Sequence, residues 1–204
     1  MDENERGRPD RRTQIIDAAI ESLKEVGYAG TTIREIARRG GFNSALISYY
    51  FSGLHGLLLA ALDRSSEQRM QSYVPALEAA ATLEDVVALA RTIYREDVQG
   101  GHVTVFTEMV GASLAHPELA PELVARVEPW IEFVERAIEK AAGDNPLLQL
   151  VPRRDVAYAV VCFYLGVNVM THLHDDVRVE ELFDLAGTLA PVVAPLMQQA
   201  RPTA

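Results

Sequence analysis

The sequence has few of the features that mark secreted, membrane-spanning or disulfide-stabilised proteins. It contains one cysteine, Cys162, so no internal disulfide can form, and this suits a reducing compartment. It has no run of about 18 apolar residues, which a membrane span requires. Its first residues are charged and no apolar stretch follows them, so no signal peptide is expected. We therefore expect a cytoplasmic protein with no membrane partner.

The charge of the chain is unevenly distributed. The 204 residues are 49% hydrophobic, enough for a full core, and the net charge is −10. Residues 1–60 hold eight basic and eight acidic residues, whereas the remainder holds eleven basic and twenty-one acidic residues. An acidic body repels phosphates, so any DNA is expected to bind at the N-terminal end.

The apolar pattern is helical throughout. Ile16, Ala19, Ile20 and Leu23 recur at helical spacing, and no segment alternates with a period of two over a useful length. We predict an all-α protein of about nine helices, with a three-helix head over residues 1–52 and a larger helical body over residues 53–204. In the body the pattern predicts helices near 82–98, 102–114, 118–141, 153–172 and 179–199, and Pro191 and Pro195 predict a kink or an early end in the last helix.

The most informative segment has the plan of a helix-turn-helix. It predicts a helix over Thr32–Arg39, a turn at Gly40-Gly41-Phe42, and a second helix over Asn43–Tyr50. Thr32 and Asn43 are suitable N-caps, and Gly41 permits a tight turn. The exposed face of the second helix is expected to show side chains small or polar enough to enter a major groove: Ser44, Ala45, Ser48 and Tyr49.

The segment VGYAGTTIREIARRGGFNSALISYYF, residues 26–51, resembles the signature of TetR-family regulators. Its elements are a Gly-aromatic pair, two threonines, an Ile-Ala helix, a glycine turn and a closing Tyr-Tyr-Phe. The resemblance implies base-reading positions on the second helix, phosphate-binding positions around it, and a flexible N-terminal arm that includes Arg6 and Arg8. The DNA-binding residues that it implies are Thr32, Arg34, Asn43, Ser44, Ala45, Leu46, Ser48, Tyr49 and Tyr50, with Arg11 and Arg12 in the arm.

The sequence departs from that family just after the closing aromatic. The family's usual lysine and acidic residue are replaced by Leu54 and His55. The replacement removes a phosphate contact at the start of the fourth helix, although the helix N-terminus still offers backbone N–H groups to a phosphate. We therefore expect weaker anchoring to the DNA backbone at this point.

The resemblance also implies a homodimer and a ligand pocket. The dimer surface is expected on the last two helices, at Phe163, Val167, Met170, Leu182, Leu185, Leu189 and Val193. The pocket is expected to bind a small, largely apolar effector and to be lined by Tyr73, Tyr94, His102, Phe106, Met109, Trp130, Phe133, Tyr158 and Cys162. Residues of both sets are also typical of an ordinary helical core.

The expected function is a transcriptional regulator of the repressor type. It would bind a palindromic DNA operator as a homodimer and be released by its effector. The alternatives are a helical adaptor and a metal-dependent enzyme. His172 and His174 point to different helix faces, which disfavours a shared metal, and no catalytic motif is present. We therefore predict no enzymatic activity, no cofactor and no metal site.

Overall fold

The computed structural model describes residues 10–142, 152–173 and 178–198. These residues form nine α-helices and no strand, which confirms the all-α prediction. No helix in these ranges is both long enough and apolar enough to cross a bilayer. The helices are α1 (Arg11–Gly30), α2 (Ile33–Gly40), α3 (Ala45–Tyr50), α4 (Gly53–Ala79), α5 (Leu83–Gly100), α6 (His102–Ser113), α7 (Leu119–Ala142), α8 (Arg153–Leu173) and α9 (Val179–Gln198).

The chain divides into two compact units that do not follow the predicted boundary at residue 52. The first unit comprises the residues up to Gln68 together with Thr104–Ala125. The second comprises Arg69–Val103 and the residues from Arg126 onward. Helices α4, α6 and α7 therefore each contribute to both units. The predicted division into a DNA-binding head and a ligand-binding body remains a functional hypothesis.

The core of the first unit is built by α1 to α4 and completed by α6 and α7. Ile15, Leu23 and Ile47 are fully buried in it, as expected from the helical spacing of the apolar residues. Val105 and Met109 of α6 join the same cluster. Burial of each such side chain stabilises the fold by about 1.5–3 kcal/mol. The head thus depends on a segment that lies far along the chain.

A glycine bend near the end of α1 ties that distant segment to the head. Gly27 adopts φ 66°, a left-handed conformation that residues with a Cβ rarely take. The bend frees the backbone N–H of Tyr28, which donates to the Glu108 carboxylate of α6 at 2.7 Å. Thr31 closes the bend, because its hydroxyl donates to the carbonyl of Gly27 at 2.7 Å.

The second unit has an aromatic core with a buried ion pair beside it. Asp97 is 2% exposed, pairs with Arg69 and accepts a hydrogen bond from the Tyr164 hydroxyl. Burial raises the pKa of the Asp97 carboxyl above its ordinary value, and the charge of Arg69 opposes that rise. The Arg69 guanidinium also lies 4.3 Å from the centroid of the Trp130 ring. The position of the Asp97–Arg69 pair is therefore fixed by the Tyr164 hydroxyl and the Trp130 ring.

Helices α5 and α9 are joined by charges at the surface and by aromatic rings below. The Nε atoms of Arg95 and Arg91 each lie 2.7 Å from an oxygen of Glu180. These hydrogen bonds, that from Arg95 first, lower the pKa of Glu180 to about 2. The Tyr94 and Phe183 rings pack with centroids 5.7 Å apart. These contacts hold α5 and α9 together in the second unit.

Candidate nucleic-acid interface

The two helices of the predicted helix-turn-helix are present, with their ends fixed by specific caps. The Thr32 hydroxyl accepts a hydrogen bond from the Glu35 N–H at 3.1 Å and so caps α2. Gly41 ends α2 in a left-handed conformation, φ 66°. The Asn43 side chain accepts from the Ala45 N–H at 2.9 Å, at the start of α3. The predicted capping roles of Thr32 and Asn43 are therefore observed.

Helix α3 is anchored from one side and exposed on the other. Ile47 and Phe51 are buried in the core of the first unit, and Leu46 is half-buried against it. The opposite face is open to solvent and carries three of the four predicted base-reading positions: Ser44, Ala45 and Ser48. Leu46 thus packs with the core more than the other members of the predicted set. The open face presents small and polar groups.

Two exposed tyrosines lie at the C-terminal end of α3. Tyr49 is 79% exposed, so its ring stabilises no core. Its ring meets that of Tyr50 edge to face, with centroids 4.9 Å apart. An exposed aromatic ring with a hydroxyl is typical of an interface residue, since it offers a hydrogen bond together with contact area.

The arginines of α2 differ in how their charge is balanced. Arg38 and Arg39 both bind Glu35, and Arg39 also pairs with Glu25 at 2.7 Å. These hydrogen bonds, that from Arg38 first, lower the pKa of Glu35 to about 2. Arg34 is exposed and has no carboxylate partner among the described residues. Arg34 is therefore the cation of α2 that is available to an external anion.

The structure differs from the prediction of a flexible N-terminal arm that carries Arg11 and Arg12. Arg11 and Arg12 lie in the first turn of α1 and are not part of a flexible arm, because the helical pattern of α1 already begins there. Arg11 donates to Gln14 at 2.9 Å, and the Arg12 guanidinium lies 5.2 Å from the Phe51 ring centroid. Both side chains are exposed. Arg6 and Arg8 lie outside the described residues.

The two departures at the start of α4 have structural roles. Leu54 is half-buried and packs against the core of the first unit. His55 Nε2 lies 2.9 Å from the Tyr28 hydroxyl. The residue that replaces a phosphate-binding lysine therefore adds apolar contact instead.

Residues 15–61 match the sequence pattern of the bacterial regulatory proteins of the tetR family. Over these residues the chain is similar to TetR-family regulators. The regulator BetI of Klebsiella pneumoniae strain 342 is 45% identical over 62 residues, which are 30% of this chain and 32% of that protein. The regulator BetI of Escherichia coli K12 is 47% identical over 60 residues, 29% and 31% of the two chains. The chain thus matches about a third of the length of these curated TetR-type relatives.

Solved structures of TetR-type proteins share the fold over most of the chain. The fatty acid degradation regulator FadR of Bacillus halodurans has a TM-score of 0.72 at 16% identity, covering 90% of this chain and 95% of its own. The multidrug binding protein EbrR in complex with imidazole has a TM-score of 0.61 at 23% identity, covering 97% and 98%. EbrR has also been solved with malachite green, with a TM-score of 0.57. These similarities support the helical architecture of the chain beyond residue 61.

The residues predicted to line a ligand pocket do not form one cluster. Tyr73, Phe133 and Trp130 lie together in an aromatic cluster of the second unit, with Trp130 6.4 Å from Tyr73 between ring centroids. Phe106 and Met109 instead belong to the core of the first unit. Periodicity along α6 showed that these residues face inward, but it did not show which core they enter.

Four other members of that predicted set lie elsewhere. Tyr94 is buried in the second unit, where its hydroxyl lies 3.1 Å from the Thr171 hydroxyl. His102 is half-buried at the start of α6. Tyr158, which is 57% exposed, and Cys162 lie on the open face of α8, so their assignment to an internal pocket is corrected. Neighbouring apolar residues on that face, Val160 and Phe163, are exposed as well.

The residues predicted to form a dimer surface are mostly exposed. Phe163 is 65% exposed, and Met170, Leu182, Leu185 and Leu189 are also open to solvent. Val167 is half-buried, and the side chain of Val193 lies outside the described residues. The apolar stripe of α8 in the sequence prediction also included Val160, which is exposed, but it missed the exposed Val169 and Leu173. Residues 156–171 of α8 carry no charged side chain, and that pattern was available as a signal.

Proposed function

We propose that the chain is a transcriptional repressor that binds a palindromic operator as a homodimer, inserting α3 into the major groove. The observation that carries this proposal is the open face of α3, held outward by buried Ile47. Ser44, Ala45 and Ser48 on that face are small, so the helix backbone can approach base edges. TetR-family members are generally non-enzymatic transcription factors, which favours regulation over catalysis.

The surroundings of α3 are suited to phosphate binding. Arg34 supplies a cation that no carboxylate among the described residues neutralises, and the hydroxyls of Tyr49, Tyr50 and Thr32 are hydrogen-bond donors around the same helix. Arg11 and Arg12 add two exposed cations at the start of α1. Such contacts fix the position of a protein on a duplex, while the groove contacts select the sequence. The DNA contacts that we propose thus fall into these two classes.

The test of DNA binding begins with selection of bound duplexes from a random pool by the purified chain. Affinity for the selected duplex is then measured by fluorescence anisotropy. Ser48→Glu places a carboxylate in the groove and should abolish specific binding. Ser72→Glu makes the same change at an exposed position of α4 and should bind normally. Equal affinities of the two variants, or failure to enrich any sequence, would contradict the proposal.

A homodimer is supported by the apolar faces of the last two helices. Phe163, Met170 and Leu185 are large apolar side chains exposed on α8 and α9. Such residues are typical of interface cores, from which charged residues are depleted. A single α3 reads too few base pairs for specificity, whereas a two-fold pair reads half-sites about 34 Å apart. The proposed symmetry of the protein therefore matches a palindromic operator.

The dimer is tested by sedimentation velocity. Phe163→Glu should dissociate the chain to a monomer, because a carboxylate replaces an aromatic ring within the apolar face. Val124→Glu makes a comparable change at an exposed apolar position of α7 and should leave the dimer intact. An unchanged oligomeric state in Phe163→Glu, or a wild-type monomer, would contradict the proposed interface.

We further propose that a small, largely apolar molecule releases the DNA. The support is the aromatic cluster of Tyr73, Trp130 and Phe133 in the second unit, together with the dye-bound state of the similarly folded EbrR. A ligand can weaken operator binding only if it binds the arrangement without DNA more tightly. Helix α4 contributes to both units, and we propose that its displacement alters the spacing of the two α3 helices.

Repression and release are tested together by transcription in vitro from a promoter that overlaps the selected operator. Addition of the chain should reduce transcription. An apolar compound that raises the melting temperature of the chain should restore it. Activation by the chain, or a stabilising compound that leaves operator affinity unchanged, would contradict repression or release respectively.

A further inference from the structure

A cluster of three metal-binding side chains lies in the first unit, outside the proposed DNA-binding face. His55 is in the first turn of α4, and His116 and Glu118 lie in the connection between α6 and α7. Each of the three offers one nitrogen or oxygen atom, and these atoms all lie within 4.8 Å of one another. We propose that His55, His116 and Glu118 form a binding site for a divalent transition metal, with Zn²⁺ as the ion of best fit.

The donor set determines the class of metal. Two imidazoles and one carboxylate suit zinc and its neighbours, whereas Mg²⁺ and Ca²⁺ prefer all-oxygen sites. Three protein ligands leave the fourth tetrahedral position open to water. The chemistry therefore favours an exchangeable zinc ion over a permanently enclosed one.

The present geometry is close to that of a bound site. Zinc–ligand distances of about 2.0–2.2 Å place tetrahedral donors about 3.4 Å apart, so no pair of these donors must approach by more than about 1.4 Å. His116 Nδ1 and Glu118 Oε1 are already 3.4 Å apart. The His55 and His116 rings have centroids 4.5 Å apart. Small rotations of the side chains supply the remaining approach.

The cluster also has a partner that can orient one of its ligands. The Tyr28 hydroxyl lies 2.9 Å from His55 Nε2 and stabilises the orientation of that ring. Groups in this position commonly change metal affinity by about 10–100-fold when they are removed. His55 and His116 are both partly buried, which restricts their motion before a metal binds. The site is therefore partly organised in advance.

Metal binding would restrain the start of α4. Phe51, which anchors the end of α3, precedes His55 by four residues. A metal that joins His55 to the connection before α7 would cross-link two segments of the first unit that are far apart in sequence. At a hundredfold excess over Kd, the melting temperature should rise by about 5–10 °C.

The test uses the full chain without any affinity tag and without DNA. Calorimetric titration with ZnCl₂ should show one ion per chain. His55→Ala and His116→Ala should each weaken binding by at least about tenfold, because loss of a ligand costs more than loss of its orienting partner. Cys162→Ser and His102→Asn remove other potential zinc ligands and should bind normally.

A spectroscopic measurement covers the case in which His55→Ala does not fold. Co²⁺ should give the visible absorption bands of a tetrahedral site in the wild type, and these bands should be lost in His116→Ala and altered in Glu118→Gln. Absence of saturable zinc binding, or unchanged affinity and spectra in the His116 variant, would overturn the proposal. Because no DNA is used, failure here would leave the proposed regulatory function standing.

Discussion

The arginines of α2 allow a quantitative test of which charges meet the DNA backbone. Arg34 is exposed with no carboxylate partner among the described residues, whereas Arg38 donates two hydrogen bonds to Glu35, at 2.8 and 2.7 Å. We expect Arg34 to neutralise a phosphate and Arg38 to remain with its carboxylate. The same substitution at the two positions should therefore have different effects on the salt dependence of binding.

The magnitude follows from counterion release. Each phosphate contact contributes about 0.9 to the slope of log K against log salt concentration. A dimer has two copies of Arg34, so Arg34→Ala should reduce the slope by about 1.8. Between about 50 and about 200 mM salt, a fourfold change, the wild type should lose about twelvefold more affinity than Arg34→Ala.

Fluorescence anisotropy with the selected operator across that salt range measures both slopes. Arg38→Ala is the matched control and should retain the wild-type slope. Equal reductions in the two variants would show that Arg38 leaves Glu35 for a phosphate, and the reasoning from ion pairing would then be wrong. An unchanged slope in Arg34→Ala would exclude its proposed phosphate contact.

Three further predictions concern stability. Asp97→Asn leaves the buried Arg69 without its charged partner and should lower the free energy of unfolding, measured by chemical denaturation, by about 3–5 kcal/mol. Arg95→Ala breaks an exposed ion pair and should lower it by only about 0–1 kcal/mol. Similar losses in the two variants would contradict the argument from burial. Ile47→Ala should lower the free energy of unfolding by about 2–5 kcal/mol and weaken operator binding, because α3 loses the side chain that anchors it to the core. A variant that binds the operator with full affinity would contradict this dependence of DNA binding on Ile47. Glu35 and Glu180, each with a pKa of about 2 against an ordinary 4.5, contribute stability above pH 4.5 that is lost as the pH falls toward 2. The melting temperature should therefore fall in this pH window, and it should fall less in the variant that carries both Glu35→Gln and Glu180→Gln. Identical pH profiles of the wild type and this variant would contradict the lowered pKa values of the two carboxyls.

Local signals in the sequence predicted the helices well. The predicted helices over 153–172 and 179–199 correspond to Arg153–Leu173 and Val179–Gln198. The caps at Thr32 and Asn43 were also predictable, because capping depends on residues within three positions of the helix start. The fold could be predicted to this extent because helical periodicity and capping are local properties.

The proline prediction was wrong about an early end. Helix α9 continues through Pro191 and Pro195 to Gln198. Each proline removes one backbone hydrogen-bond donor, yet the helix continues, and Ala190 beside Pro191 is buried. Tertiary contacts of this kind are not visible in a local pattern.

Features that join distant segments could not be predicted. His55 and His116 are far apart in sequence and match no metal-binding spacing, yet their rings meet in the first unit. The entry of Met109 into the core of the head likewise depends on how α6 packs. Spacing along one helix identifies an inward face, but it does not identify the partner of that face.

The discontinuous first unit has a consequence for the exchange of DNA specificity between relatives. The residues that match the family pattern, 15–61, end before α6, yet the core beneath α3 is completed by residues that include Val105 and Met109. A head transplanted as a contiguous N-terminal stretch would leave its own interior short of five buried apolar side chains, Val105, Met109, Ala112, Leu119 and Leu123, and Tyr28 short of its carboxylate acceptor. A graft that also carries Thr104–Ala125 would keep that interior whole, so the transferable specificity module consists of two separate pieces of chain.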